Sequence, residues 1–453
     1  EIDVTHGDFE IRLDRPLEAQ DAKKQDKLGR SGFAESVVKA LRKSLGSPGL
    51  ALSVEGPWGS GKTSTLALIE SIALEQQPKP LIIKFNPWLI GDRENLLRQF
   101  FATLEIGIGK SDRVSEAKHV AKELAAYSKV FDYVKLIPGA EPWASIIKSV
   151  IQATGEAVGS VAKHKEMDIE GKKDALKEAL KLLSFPIFVF IDDVDRLFPN
   201  EVHEIVRIVK AVGDLPNVAY VLAWDPKYVS EALRSASIPR SENYLEKVVQ
   251  IRMPLPSMSL QARHNLFDQQ LARLGPDSKT KFLGSNSRRL TYLYSAGLRD
   301  LLEQPRDFDR IFNTVTMIEP LLRGEIALPD IIGLAALIVK APSVHELLIR
   351  EPGFFVHALC QNEMTSSDFD KMKTDAISIR KTAIDACDNP RAVRSLVHFL
   401  FPDTAGAENA FTMEKAKDSE GHLAAPSRIV VALQMSLGTT DVSLFAAHKF
   451  LYE

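Results

Sequence analysis

ALSVEGPWGSGKTSTLALIE, residues 51–70, sets a short apolar run against a glycine-rich loop and then against an apolar pattern of helical length. Leu50 to Val54 reads as a buried strand, because a strand covered on both faces is apolar throughout instead of alternating. In GPWGSGKT, residues 56–63, Gly56 and Gly61 stand at the spacing of a loop that wraps phosphate. Glycine tolerates the left-handed backbone that turns successive N–H groups inward, and such a nest binds anions. Lys62 supplies a point charge for β and γ phosphates, and Thr63 offers a hydroxyl to Mg²⁺. The helix opening near Lys62 turns its positive end toward the same phosphates. Trp58, Gly59, Ser60 and Ser64 complete the set read as nucleotide-binding, with ATP favoured over GTP. A chance match would lack the strand before and the helix after; this one has both.

The second acidic half of such a site is FVFIDDVDR, residues 188–196, an apolar strand ending in paired carboxylates. Side-by-side carboxylates repel unless a cation lies between them, and Mg²⁺ prefers oxygen ligands. Asp192 is therefore read as the metal residue with Thr63, and Asp193 as the group that polarises an attacking water. Asp195 and Arg196 form a turn in which an ordering salt bridge and a catalytic role are equally open. Asp225, before Pro226, reads equally as a water-orienting group and as a helix start. Arg240, Arg306 and Arg310 are the arginines placed to neutralise phosphate charge, and one reaching over from a second domain or subunit would tie turnover to assembly.

Around these motifs Leu81 to Phe85, Ile187 to Ile191 and Val218 to Ala223 read as three more buried strands, with a fifth at Val248 to Met253. Helical patterns lie between them: Val202, Ile205, Val206 and Val209 repeat at three and four residues behind a candidate cap at Asn200, and Ala175 to Leu183 does likewise. Alternation of this kind predicts an α/β fold, a parallel sheet with helices on both faces, over residues 1–256. An insertion from about 107 to 170 interrupts the rhythm, and its charge-dense tail, KHKEMDIEGKK at 163–173, reads as a solvated loop. Beyond Ser257 strand signals fade, predicting a helical lid over 257–400 and a helical extension over 401–453.

At 453 residues, 45% hydrophobic and 26% charged, the composition is that of a globular chain that buries a core. The net charge of −3 gives no general basic coat for nucleic acid and leaves a local patch open. Cys360 and Cys387 have no ligand spacing and read as buried free thiols in a reducing cytoplasm. No apolar run approaches the roughly 18 residues of a spanning helix, and no leader pattern opens the sequence.

Together the motifs resemble the KAP family of P-loop NTPases, near the AAA+ and STAND groups. The resemblance is carried by DKLGRSGFAESVVKAL at 26–41, the phosphate loop, KFNPW at 84–88, FIDDVDRL at 190–197, YLEKVVQIRMPLP at 244–256 and PRDFDRIFN at 305–313. It implies an additional-strand sheet, in which the acidic strand does not neighbour the phosphate-loop strand, and a helical lid. It also implies base contacts from Asp26, Leu28 and Arg30, and a γ-phosphate-sensing role for Arg306. Many members carry transmembrane helices where this chain has its insertion, but Lys135, Glu141, Lys148, Glu156 and Lys163 recur too densely for a span. Trp143 to Ile151 is left as an amphipathic piece to be buried against the sheet.

The expected function is Mg-dependent ATP hydrolysis that drives a switch or assembly controlling other protein subunits, in a homo-oligomer, with anti-phage defence as the setting the resemblance implies. The alternative is an ATP-stabilised scaffold with little turnover. A metabolic kinase would need an acceptor pocket that no sequence feature supplies.

Overall fold

The computed structural model describes residues 15–89, 96–110, 114–132, 159–238, 241–274, 286–361, 364–405 and 416–436, with 443, 446–447 and 450. They divide into two compact units, one over Pro16–Ser257 and one from Met258 onward together with Arg15. Arg240 and Trp143 to Ile151 lie outside the described residues.

The first unit runs α1 (Ser31–Leu41), β1 (Leu50–Glu55), α2 (Lys62–Leu74), β2 (Leu81–Phe85), α3 (Leu96–Gly109), α4 (Val114–Asp132), α5 (Gly159–Lys181), β3 (Ile187–Ile191), α6 (Pro199–Val212), β4 (Val218–Trp224), α7 (Pro226–Ser235), α8 (Ser241–Glu246) and β5 (Ile251–Pro254). The strands form one parallel sheet in the order β2-β3-β4-β1-β5. Strand β4 lies between the phosphate-loop strand and the acidic strand, pairing Glu55 with Trp224 on one side and Ile191 with Leu222 on the other. This is the additional-strand arrangement.

Successive strand residues feed opposite cores. Leu52, Val54, Phe188, Phe190 and Val221 pack with α1 and α2, while Ala51, Ile83, Val189, Ile191 and Leu222 pack with α3 to α6. Covering on both faces explains why β4 is buried at all seven positions and why its sequence does not alternate. On the second face, Phe85, Phe100, Phe101 and Tyr127 form an edge-to-face chain with centroids 5.2 to 5.7 Å apart. The described part of the insertion is helical, and its α4 contributes Ala117, Val120 and Leu124 to the core.

Three local readings need correction. The charged stretch at 163–173 lies within α5 and not in a loop. Helix α6 begins at Pro199 with Phe198 as its capping residue, whose N–H goes to the Glu201 carboxylate at 2.9 Å, so Asn200 falls inside the first turn. Strand β5 starts at Ile251, three residues after the expected Val248, because Val248 and Val249 are buried in the turn that precedes it.

Helices make up the second unit: α9 (Leu260–Arg273), α10 (Asn286–Leu293), α11 (Pro305–Leu322), α12 (Leu328–Lys340), α13 (Pro342–Arg350), α14 (Ser366–Asp385), α15 (Pro390–Leu400) and α16 (Pro426–Gln434), and its described residues contain no strand. Gly297, at φ 112°, lets the turn after α10 approach α15; a Cβ there would stand 2.3 Å from the Ala392 carbonyl oxygen. Buried ion pairs tie the unit together. Arg289 holds Asp330 through bonds of 2.6 and 2.9 Å, and Arg428 reaches Glu325 at 2.7 Å. Among the described residues no single helix is long and apolar enough to cross a membrane; α12 and α13 pass only as a pair bent by 113°, and α12 is buried along most of its length. Cys360 and Cys387 form no disulfide among the described residues and are half-buried instead of fully buried.

Candidate functional site

The loop between β1 and α2 has the backbone its glycines were read to permit. Gly59 and Gly61 adopt φ of 82° and 87°, in the left-handed region, and Gly61 caps the N-terminus of α2. Gly56 is needed for space: a Cβ would lie 2.7 Å from Ser60 Oγ. Ser60 is buried, and its hydroxyl finds no hydrogen-bond partner among the described residues. Ser64 is turned away from the loop, accepting the Leu17 N–H at 3.2 Å, and Trp58 is 69% exposed.

Lys62 and the acidic turn meet across the sheet edge. Lys62 Nζ donates to the carbonyls of Gly56 at 3.0 Å and Pro57 at 3.3 Å, and pairs with Asp195 Oδ2 at 2.7 Å. Asp195 makes its salt bridge to Lys62, while Arg196, its neighbour in the turn, pairs with Asp193. Beside it the Thr63 hydroxyl hydrogen-bonds Asp192, whose Oδ1 also takes the Asp193 N–H at 2.8 Å. Burial pushes the Asp192 carboxyl above the usual range against those hydrogen bonds, and the charges of Asp193 and Asp195 push it further. A hard divalent cation relieves that situation, and a hydroxyl with a carboxylate is a donor set that Mg²⁺ accepts.

Asp193 sits at φ 56° and starts the turn Val194–Arg196. Its Oδ2 accepts from Asn86 Nδ2 at 2.8 Å, and its Oδ1 pairs with Arg196 at 2.8 Å. Asn86 is the residue just past β2, and sequence reasoning assigned it no role; its only signal was the polar residue in KFNPW at a strand's carboxyl end. Glu55, the last residue of β1, was also missed. It is buried and receives Ser53 Oγ, Trp224 Nε1 and two bonds from Arg252, fixing the ends of β4, β1 and β5 directly before the loop.

Arg30 lies beneath the loop. Its guanidinium donates to the Ser60 carbonyl at 2.7 Å, to Thr65 Oγ1 at 3.3 Å and to the Pro256 carbonyl at 3.2 Å, and burial lowers it to about 10. Asp26 accepts the N–H groups of Arg30 and Ser31 at the head of α1, and Leu28 is half-buried. Asp225 caps α7 through the Lys227 N–H at 3.0 Å, the helix-start role of the two considered. Arg306 and Arg310 belong to the second unit, in the first turns of α11, where Arg306 is half-buried and Arg310 exposed. In the same motif Asp307 takes the Gln304 N–H at 2.7 Å and Lys340 Nζ at 2.9 Å.

The sequence profile of the KAP family P-loop domain matches residues 30–322. The chain belongs to the KAP family. Its KAP domain therefore takes in both the sheet and the start of the helical unit. Among curated proteins it is similar to the phage T7 exclusion protein of Escherichia coli (strain K12), 25% identical over 343 residues that cover 71% of this chain and 46% of that protein. The chain thus spans about half the length of that relative. Among solved structures the KAP chain is similar to the Aeropyrum pernix ORC2 protein in ADPNP–ADP complexes, at 13% identity and a TM-score of 0.35, covering 78% of this chain and 81% of that one. It is likewise similar to Cdc6p of Pyrobaculum aerophilum, at 13% identity and a TM-score of 0.34, covering 82% and 95%.

Proposed function

We propose that this chain binds Mg·ATP on residues 56–63 and hydrolyses it, and that the cycle switches the chain between states that control a partner protein in anti-phage defence. The observation that carries the reading is the joining of Thr63 and Asp192 beside Lys62 at the N-terminus of α2. Gly56, Gly59, Ser60 and Gly61 bind phosphate through the loop, Lys62 neutralises it, and Thr63 and Asp192 hold Mg²⁺, which supplies charge neutralisation when bound. Asp193 takes the proton of a water whose oxygen forms the bond to the γ-phosphorus as the bond to the β–γ bridging oxygen breaks, giving ADP and phosphate. Arg306 and Arg240 are assigned to the developing charge, one of them from a neighbouring copy, in a cytoplasmic homo-oligomer. Arg30 serves by bracing the Ser60 carbonyl. Similarity to a protein named for phage exclusion supports the setting.

One observation favours the scaffold reading: both oxygens of Asp193 are already engaged, by Asn86 and Arg196. Steady-state ATP hydrolysis against protein concentration separates the two. Under the switch reading specific activity rises with concentration, Lys62→Ala and Asp193→Asn fall to background, and mixing Arg240→Ala with Asp193→Asn restores turnover. Retained ATP binding with flat, undetectable turnover at every concentration leaves the scaffold.

A further inference from the structure

The chain leaves the first unit at Ser257, and the residues just before it, Leu255 and Pro256, follow the edge strand β5. The phosphate loop opens at Gly56, directly after β1. Strand β5 runs parallel to β1, with Pro254 opposite Glu55. The exit of the chain and the entry of the loop therefore emerge side by side at the carboxyl edge of the sheet.

The two are joined by backbone, by packing and by one side chain. The Leu255 N–H donates to the Glu55 carbonyl at 2.7 Å. Leu255 Cδ1 lies so close to Gly56 that a Cβ added there would stand 3.1 Å from it. Arg30, 6% exposed, reaches both segments at once: Nη1 donates to the Ser60 carbonyl at 2.7 Å, and Nη2 donates to the Pro256 carbonyl at 3.2 Å. Nη1 also donates to Thr65 Oγ1, whose own hydroxyl donates to the Gly61 carbonyl at 2.9 Å. From behind, Asp26 fixes the residue by accepting its backbone N–H at 3.0 Å. A guanidinium suits this position because its terminal nitrogens belong to one rigid plane, whereas a lysine ammonium ends a flexible stem.

We infer that Arg30 is a positioning residue that makes the phosphate loop and the exit at 255–257 one cooperative unit, so that nucleotide in the loop stiffens the segment from which the helical unit starts. The inference rests on the proposed binding of nucleotide to residues 56–63. Its physical basis is linkage. An opening of the exit that pulls Pro256 from Arg30 displaces the plane that holds the Ser60 carbonyl, and a ligand that binds only the intact loop suppresses every such opening.

The test is amide hydrogen exchange of the full chain, read on peptides covering 56–66, 250–259 and α14, without nucleotide and with Mg·ADP. The nucleotide is held at about tenfold excess over the Kd that calorimetry gives for each variant. In wild type the 56–66 and 250–259 peptides should both exchange about tenfold more slowly with Mg·ADP, the factor set by that excess, and α14 should be unchanged. In Arg30→Met the slowing should persist at 56–66 and be lost at 250–259. Slowing at 250–259 that survives in Arg30→Met overturns the inference, as does wild type that binds nucleotide without slowing there. Equal slowing in all three peptides reports suppressed global unfolding and overturns it as well. Should Arg30→Met fail to fold, Arg30→Lys decides, since it keeps the charge without the fork: loss of slowing at 250–259 supports the inference, and unchanged slowing rejects it. Wild type that binds no Mg·ADP refutes the nucleotide reading itself, and the inference falls with it.

Discussion

Lys62 Nζ stands 2.7 Å from Asp195 Oδ2, and both side chains are more than nine-tenths buried. On the proposed reading, in which Lys62 neutralises nucleotide phosphate, phosphate and Asp195 compete for one ammonium. If the pair keeps nine molecules in ten latched, nucleotide affinity is lowered about tenfold. Asp195→Asn is expected to tighten Mg·ADP binding by about that factor, read by calorimetry. Unchanged or weaker binding would mean that Asp195 aims Lys62 at the phosphates.

Asn86 and Arg196 together fix the Asp193 carboxylate at the carboxyl edge of the sheet. Since Asn86 touches no part of the phosphate loop in the described hydrogen bonds, its loss should disturb orientation and leave binding intact. Asn86→Ala is expected to lower kcat on the order of 10- to 100-fold with nucleotide Kd unchanged. A rise in kcat would show instead that Asn86 restrains Asp193 in the resting site.

How much of this was legible depended on whether the determinant was local. Strands β2 and β3 matched their expected limits, β3 because sandwiching between helices makes an inner strand apolar at every position and β2 because its apolar run breaks only at the exposed Lys84, and the phosphate loop was legible because its chemistry is confined to eight successive residues. Contacts across the fold were not. Asn86 meets Asp193 over 107 positions, and Arg252 meets Glu55 over 197. Nor could Arg30 be assigned from its own segment, since its partners Ser60 and Pro256 come from the loop and from the stretch just past β5. The 163–173 stretch misled because charge density alone does not separate a loop from a helix.

Glu55 concentrates four hydrogen bonds on one buried carboxylate before the phosphate loop. Glu55→Ala strands the Trp224 indole N–H and the Ser53 hydroxyl as well as Arg252, and should cost about 3 kcal/mol by urea denaturation. Glu55→Gln keeps an acceptor and loses only the charge. Because Arg252 is 36% exposed and water screens it, that change should cost about 1 kcal/mol. Equal losses for the two variants would show that the ion pair, and not the hydrogen-bond hub, is what matters.

Asp26 connects helix stability to the site, because the residue whose N–H it accepts at 3.0 Å, Arg30, braces the Ser60 carbonyl. Partial burial pushes the Asp26 carboxyl up, but hydrogen bonds from Arg30 and Ser31 prevail and hold it below 3.8. The unfolded chain then binds the proton more readily, so the stabilisation is full above about pH 4 and is lost as pH falls through the lower folded value. Asp26→Ala should cost about 1 kcal/mol at pH 7, and the difference from wild type should shrink as denaturation is repeated toward pH 3. A difference that stays constant over that range would assign the effect to shape and not to the carboxylate's charge.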